Sequence, residues 1–479
     1  MKKHRFRIVM NSIFIVMLVL FPLQGCSKNP AKQSTANGSA NTASSLWLPS
    51  IFCDHMVVQQ GEPIRIWGKA APGSQVRIHL NNRETIINAD ENGRWQADLD
   101  PLSVGKPYTM AIRTKEEQKV IEDILSGEVW YASGQSNMEY AMSRIATREE
   151  IKDILQKADV PALRLFKTER RNALEKQEDV GGNWVLSTEE TAKEFSAVAY
   201  IFGFLLNKRL DVPVGIIVSA VGATSIQAWM DRELPEAINT RINGNMEKTG
   251  YFHKGMTAGL QPYRIKGMLW YQGENNAVWF DPRNYGMLML AFIDDIRKGF
   301  QNPQLPFLFV QLPAYEALGK DWASLREEQA KVARLMPNTG MAVTIDLGEE
   351  KDIHPRDKYP VAERLYRMAM HQVYKMDRFV GFPEFSRTNI KDGRFYIAFK
   401  NYGEGLVSTQ DAEIPGFEIC GPEGVFHPVP ARISGLGAVE LITDEKVSAV
   451  RYAWKNWIRP VLFNKEGLPV APFWHVVME

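Results

Sequence analysis

The sequence predicts an α/β protein in which a parallel sheet of five strands is flanked by two all-β domains. Its middle contains five short apolar segments, each followed by helical periodicity or a long loop. Its two outer parts contain short alternating segments separated by Gly and Pro. A length of 479 residues is also too long for one ordinary domain. The predicted parts are a signal segment 1–26, a linker 27–46, an N-terminal β-sandwich 47–125, a central α/β domain 126–378 and a C-terminal β domain 379–479.

The composition is that of a globular protein with a sizeable core, at 45% hydrophobic and 24% charged residues. The net charge is +1, and no long basic run follows the first seven residues. Nucleic acid is therefore not an expected partner. Twelve Trp and fifteen Tyr would suit stacking on sugar rings, but β-domain cores use the same residues and are the default interpretation.

The amino terminus has the pattern of an export signal. A basic head (residues 2–7) precedes an apolar run over residues 8–20, and the segment ends in Leu23-Gln24-Gly25-Cys26. This tetrad resembles a bacterial lipoprotein box, although Gln24 stands where a small residue is usual. The resemblance implies a lipid on Cys26, a membrane anchor, and a periplasmic or cell-surface location. The alternatives are an uncleaved anchor or an ordinary secretory signal.

The linker is rich in Ser, Asn, Thr, Ala and Gly, which is typical of a flexible tether. Beyond Cys26 only Cys53 and Cys420 remain. Two cysteines do not form a metal cluster, and the sequence leaves open whether they pair.

Functional residues follow the predicted central strands, which cover residues 129–133, 214–220, 266–271, 307–312 and 341–347. Ser136 follows the first of these strands, Gly222 the second, Gln272 the third and His354 the fifth. Ligands of parallel α/β sheets bind outside the carboxyl ends of the strands. The four residues are therefore expected at one edge.

Ser136 lies on a tight strand-to-helix turn just after Gly134, where a hydroxyl is held out at the sheet edge. A serine hydroxyl needs a base within hydrogen-bond reach. Of the eight histidines, His354 is the best placed, because its loop follows the fifth strand and ends at Pro355. Asp352 is the first candidate for the orienting acid and Asp346 the second, while a backbone carbonyl could replace both.

Three donors could stabilise an oxyanion at this edge: the Ser136 N–H, the Gly222 N–H and the Gln272 side-chain amide. Each motif alone has a plainer interpretation. Ser136 and Gln272 could sit in ordinary turns, and Asp352 with His354 could be a surface loop or half of a metal site. No His-Glu-x-x-His or Cys pair accompanies them, so no metal is predicted. Together at one edge, the motifs indicate a serine esterase.

With these residues in hand, the chain resembles the sialate O-acetylesterase-type members of the SGNH (GDSL-like) hydrolases, from Leu48 to its end. The resemblance is carried by Ser133-Gly134-Gln135-Ser136-Asn137-Met138, by Trp270-Tyr271-Gln272-Gly273-Glu274 and by Ile353-His354-Pro355-Arg356-Asp357-Lys358. It implies a three-layer α/β/α domain and removal of acetyl esters from sugars without a cofactor. It also implies Ser136 as nucleophile, His354 as base, and Gly222 and Gln272 in the oxyanion hole.

Two positions depart from the wider superfamily. Its acid usually lies three residues before the histidine, where this chain has Lys351, so a Ser–His dyad stays open beside Asp352. Its third motif usually supplies an Asn, and here Gln272, Glu274 and Asn275 compete for that role, with Gln272 favoured. Alternative functions are an acetylxylan or hemicellulose acetylesterase of the same mechanism, and a non-catalytic glycan-binding surface lipoprotein.

Overall fold

The computed structural model describes residues 46–235, 249–317, 320–410 and 413–477. The predicted signal segment, with Cys26, and residues 27–45 of the predicted linker lie outside these ranges. Within them, every helix is too short or too polar to cross a membrane.

The N-terminal part is built of short strands, most of them in antiparallel pairs. Its first six strands are β1 Val57–Gln59, β2 Ile64–Lys69, β3 Gln75–Leu80, β4 Arg83–Asn88, β5 Arg94–Leu99 and β6 Tyr108–Arg113. β2 pairs with β5, and β3 pairs with both β4 and β6. In β3 and β5 every second residue is buried, as the alternating sequence predicts.

One long strand connects the N-terminal part to the centre of the molecule. β7 spans Gln118–Gly134, 17 residues. Its first part pairs antiparallel with β6 and its middle pairs parallel with β1, while its last part pairs with two strands of the central sheet. The predicted domain boundary at 125/126 therefore falls inside a continuous strand.

The central sheet contains the functional edge. Its further strands are β8 Val160–Lys167, β9 Trp184–Ser187, β10 Val214–Ala220, β11 Gly267–Tyr271, β12 Phe307–Val310 and β13 Thr339–Ala342. The order is β13-β12-β11-β7-β10-β8-β9, parallel throughout except for the antiparallel edge strand β9. The predicted fold class is confirmed, and the sheet has a sixth parallel strand, β8, that the sequence analysis does not predict. Pro161 and Arg164 interrupt the apolar run of β8, and the buried Arg164 guanidinium lies 2.6 Å from the Asp123 carboxylate.

Helices cover both faces of this sheet. They are α1 Ser136–Glu139, α2 Glu149–Gln156, α3 Glu189–Lys193, α4 Ala197–Leu210, α5 Glu274–Trp279, α6 Tyr285–Gly299, α7 Trp322–Leu335 and α8 Tyr359–Gln372. Neighbouring residues of β7 point to opposite faces. The Trp130 ring lies 4.9 Å from Phe202 of α4, while the Tyr131 ring lies 5.7 Å from Phe300, just after α6. Burial on both faces explains why β10, β11 and β12 are almost wholly apolar.

The C-terminal part returns to antiparallel strands. They are β14 Glu384–Lys391, β15 Arg394–Lys400, β16 Leu406–Ser408, β17 Phe417–Cys420, β18 His427–Pro428, β19 Ala431–Ile433, β20 Ala438–Leu441, β21 Ala449–Tyr452, β22 Leu462–Asn464 and β23 Phe473–Val476. They form the sheets β14-β15-β20-β19 and β18-β17-β21-β23 and the pair β16-β22. Cys420 ends β17 as a buried free thiol, and Cys53 is also free. The cysteine pairing that the sequence leaves open is therefore not present.

Candidate active site

The turn after β7 places Ser136 at the carboxyl edge of the sheet. Gly134 adopts φ +146°, and a Cβ atom there would lie 2.1 Å from the carbonyl oxygen of Tyr271 on the neighbouring strand. Only glycine allows this close approach. The Gln135 N–H then donates to the same carbonyl at 3.0 Å, and α1 begins at Ser136. The local sequence thus forces a sharp turn that exposes the serine side chain.

The loop after β13 brings His354 to this serine. A short 3₁₀ turn follows β13, and the loop then runs to the start of α8 at Tyr359. The His354 Nε2 atom lies 2.8 Å from the Ser136 Oγ atom, across a separation of 218 residues. This is hydrogen-bond distance, as a base that accepts the hydroxyl proton requires.

The two candidate acids occupy different places. The Asp352 Oδ1 atom accepts the backbone N–H of His354 at 2.8 Å and lies 3.7 Å from the His354 Nδ1 atom. At that distance it attracts a charged imidazole but does not hydrogen-bond to it. Asp346 is engaged elsewhere, because its carboxylate accepts both Nη groups of Arg364, at 2.7 and 2.6 Å. Asp352 is thus the acid beside His354.

Burial favours the neutral form of His354. Partial desolvation lowers the pKa of His354 below its usual 6.5, while the Asp352 carboxylate opposes this and the Lys358 and Arg144 cations add to it. A neutral imidazole can accept a proton, so these surroundings suit a general base.

The Gly222 N–H is occupied in this structure. It donates to the Glu139 Oε2 atom at 2.7 Å, at the end of α1. A carboxylate oxygen at this position resembles the charged oxygen that an oxyanion hole binds. Glu139 directly follows the Ser136 motif but is not among the site residues predicted from the sequence.

The Gln272 amide, a predicted oxyanion donor, is engaged elsewhere in this structure. Gln272 is fully buried, and three acceptors surround its Nε2 atom: Gln135 Oε1 at 3.1 Å, Thr224 O at 3.0 Å and Asn276 Oδ1 at 2.8 Å. An amide nitrogen has two protons, so this group is already fully used. Gln272 holds the turns beneath the site together.

Asn275 is better placed among the three competing residues. It is partly exposed, and its Nδ2 atom donates to the Ala223 carbonyl at 2.9 Å, next to Gly222. That bond uses one of the two amide protons. The position of an Asn two residues after Gly273 is the sequence signal that would have identified it.

A buried polar cluster lies between the serine turn and the histidine loop. Asn137 donates through Nδ2 to a Glu274 carboxylate oxygen and, at 3.0 Å, to the Ile353 carbonyl. The Lys358 ammonium donates to the Asn137 Oδ1 atom. All three side chains of this cluster are essentially inaccessible to solvent.

Other histidines lie away from Ser136. His55 pairs with Asp123 at 2.7 Å, and the fully buried His253 lies 3.4 Å from Asp231. Among the residues that the structure describes, no three His, Cys, Asp or Glu side chains are grouped to hold a metal ion.

Comparisons with known proteins agree with the fold. The family model described as carbohydrate esterase, sialic acid-specific acetylesterase, matches residues 126–362. The sialate O-acetylesterases of Pongo abelii and Homo sapiens are each 30% identical to this chain, over 482 and 485 residues, covering 88% of this chain and 91% of each relative. The crystal structure of a carbohydrate acetylesterase from Xanthomonas citri has a TM-score of 0.82 and 32% identity, covering 91% of this chain and 100% of that one.

The matches cover nearly the whole length of each relative, and the family match covers the serine turn and the histidine loop. The chain therefore belongs to the carbohydrate esterase family of sialic acid-specific acetylesterases.

Proposed function

We propose that the chain is a serine esterase that removes O-acetyl groups from sugars, with O-acetylated sialic acids as the main substrates. The 2.8 Å contact between Ser136 Oγ and His354 Nε2 carries this proposal, because a nucleophile and its base must share a hydrogen bond. The names of the curated relatives support the choice of sugar.

Acylation begins when His354 accepts the Ser136 proton. The Ser136 oxygen forms a bond to the acetyl carbonyl carbon, and the carbonyl oxygen becomes an oxyanion. When the tetrahedral intermediate collapses, the bond to the sugar oxygen breaks and His354 returns its proton to that oxygen. The products are the free sugar hydroxyl and an acetyl ester on Ser136.

Deacylation repeats the steps with water. His354 takes a proton from a water molecule, and the water oxygen attacks the acetyl carbon. The ester bond to Ser136 then breaks, His354 protonates the Ser136 oxygen, and acetate leaves. Every proton is moved by His354, so the chain's own residues suffice for the chemistry.

The oxyanion is stabilised by backbone and side-chain donors around the turn. We assign the Ser136 N–H, the Gly222 N–H and the Asn275 amide to this role. Gly222 can serve only when the Glu139 carboxylate leaves its N–H. Each such donor typically contributes about 3 kcal/mol to transition-state stabilisation.

Asp352 supports the imidazolium through charge, from 3.7 Å, without the direct hydrogen bond of a full triad. The site works mainly as a Ser–His dyad, with Asp352 holding the loop through the His354 backbone N–H.

The direct test compares acetate release from O-acetylated sialic acid and from acetylated xylan, each with wild-type protein and with Ser136→Ala. We expect turnover of the sialic acid ester by the wild type and loss of turnover in the variant, with an unchanged melting temperature. Faster acetate release from acetylated xylan would show that the main substrate is an acetylated hemicellulose. Sugar binding without any acetate release would favour the non-catalytic glycan-binding alternative.

We also propose that the protein is exported and anchored to the membrane by a lipid on Cys26. The support is the basic head, the apolar run and the Leu23–Cys26 tetrad. Cell fractionation with a Cys26→Ala variant tests it. The wild type should remain with membranes, and the variant should not acquire lipid.

A further inference from the structure

The serine turn and the histidine loop are joined by one buried side chain. Asn137 follows Ser136 directly, and its Nδ2 atom donates to the carbonyl of Ile353, which precedes His354 directly. A hydrogen bond between the immediate neighbours of two reacting residues limits how far those residues can separate.

Asn137 is itself held on two further sides. Its Nδ2 atom donates to the Glu274 carboxylate, and its Oδ1 atom accepts from the Lys358 ammonium. With both ends engaged, the amide cannot rotate without breaking a bond to a charged group. Hydrogen bonds to charged partners are stronger than those between neutral groups, so this orientation is strongly preferred.

Lys358 and Glu274 are ionisable groups in a place where charge is costly. Each retains about 1% of its accessible surface. Burial lowers the pKa of Lys358 to about 7 and raises the pKa of Glu274, while each charge offsets part of the cost for the other. The Lys358 ammonium also lies 4.9 Å from the Tyr140 ring and 5.5 Å from the Tyr271 ring, where aromatic faces attract a cation.

We propose that Lys358, Asn137 and Glu274 form a brace that locks the Ser136 turn to the His354 loop, with Lys358 as a positioning residue. The brace extends the proposed function and depends on the Ser136–His354 pair. None of its three side chains reaches the solvent-facing side of the site, so none is expected to touch the substrate.

The brace has a mechanical and an electrostatic part, which can be measured separately. The mechanical part keeps the Oγ–Nε2 contact short and therefore acts on kcat. The electrostatic part acts on His354, which also feels the Asp352 carboxylate and the exposed Arg144 cation, and which lies 6.3 Å from the Tyr140 ring. Removal of the Lys358 cation raises the pKa of His354, so the acid limb of kcat/KM moves to higher pH.

The experiment uses the full chain and an aryl acetate as probe. Lys358→Met should lower kcat about 100-fold, the scale of a small misplacement of reacting groups, leave KM nearly unchanged, and shift the acid limb upward. Asn137→Ala should lower kcat but leave the acid limb in place, because Lys358 keeps its charge. Lys298→Met is the matched control: it makes the same substitution at a surface lysine that is 72% exposed and pairs with Asp294, and it should leave both kcat and the acid limb unchanged.

A second variant separates a loss of activity from a loss of folding. Lys358→Met leaves the Glu274 carboxyl without its cation, so Lys358→Met with Glu274→Gln keeps the cluster neutral and should preserve the melting temperature. That double variant should show the same loss of kcat and the same shift of the limb. Wild-type kcat and pH profile in the folded double variant would overturn the brace. A residual activity in Ser136→Ala would instead overturn the proposed function, so the two failures are distinct.

Discussion

At the scale of single residues, the imidazole of His354 must be neutral before it can accept the Ser136 proton. Its pKa is lowered below 6.5, mainly by desolvation, so the neutral form persists to lower pH than for an exposed histidine. We expect the acid limb of kcat/KM, measured with an aryl acetate, to lie below pH 6.5.

The same profile with Asp352→Asn separates a dyad from a triad. The Asp352 carboxylate raises the pKa of His354, so its removal should shift the limb further down. The loss in kcat should be far smaller than the roughly 10⁴-fold typical of a directly bonded triad acid, because the carboxylate lies 3.7 Å away. Two results would contradict this account of His354: an acid limb of the wild-type kcat/KM above pH 6.5, or a loss of kcat in Asp352→Asn as large as that of a directly bonded triad acid.

If Gly222 is an oxyanion donor, as proposed, Glu139 competes with the substrate for the Gly222 N–H. A hydrogen bond to a carboxylate is among the stronger ones, about 1.5–3 kcal/mol, and the carboxylate must leave before an oxyanion can form there. Glu139→Ala should therefore raise kcat/KM for an aryl acetate several-fold. Lower activity with unchanged stability would mean that Glu139 instead holds the Gly222 loop in its working shape.

At the scale of elements, the buried ion pair between Arg364 and Asp346 holds α8 against the segment after β13. The side chains of Arg364 and Asp346 are 7% and 15% exposed and form two parallel hydrogen bonds. Arg364→Ala leaves Asp346 without its partner, and such a loss costs about 3–5 kcal/mol. Thermal unfolding should show a clear drop in melting temperature.

The control is Arg83→Ala, which removes the exposed partner of Asp100. Surface pairs of this kind add little, so its melting temperature should match the wild type. Equal effects in the two variants would show that the ion pair does not fasten α8.

The elements that could be predicted from sequence are those whose pattern is local. The predicted strand 214–220 is β10, because its residues are apolar on both faces. β8 escapes prediction because Arg164 becomes compatible with burial only through Asp123, 41 residues earlier. The sequence leaves the acid beside His354 open for a similar reason, because the Asp346 carboxylate is bound by Arg364, 18 residues later.

The site follows the same rule. That Ser136 and His354 share an edge could be inferred from strand order, since both follow parallel strands. The sequence does not show which side-chain amide faces the open side of the site, because Gly273, at φ +145°, changes the direction of the chain between Gln272 and Asn275. A change of backbone direction over one residue is not visible in composition or periodicity.

At the scale of the whole molecule, β7 makes the N-terminal and central parts interdependent. It pairs with β1 and β6 in its first half and with β10 and β11 in its second. The Tyr263 hydroxyl adds a buried hydrogen bond to the Val57 carbonyl, at 2.7 Å. A chain limited to residues 126–378 would leave these groups unpaired and an apolar surface exposed.

We therefore expect residues 126–378 alone to be insoluble or to lack a cooperative thermal transition, whereas residues 46–479 should be soluble and active. Expression of both with circular dichroism checks this. A stable, active 126–378 fragment would show that the central domain is independent.

The central claim is that Ser136 is a nucleophile activated by His354. Labelling with an aryl phosphonate, followed by peptide mass spectrometry and parallel activity measurements, tests it most directly. The account predicts one adduct on Ser136, loss of acetate release in proportion to that adduct, and no adduct in a folded His354→Ala variant. Full inactivation with the adduct on another residue, or full activity with Ser136 labelled, would contradict it.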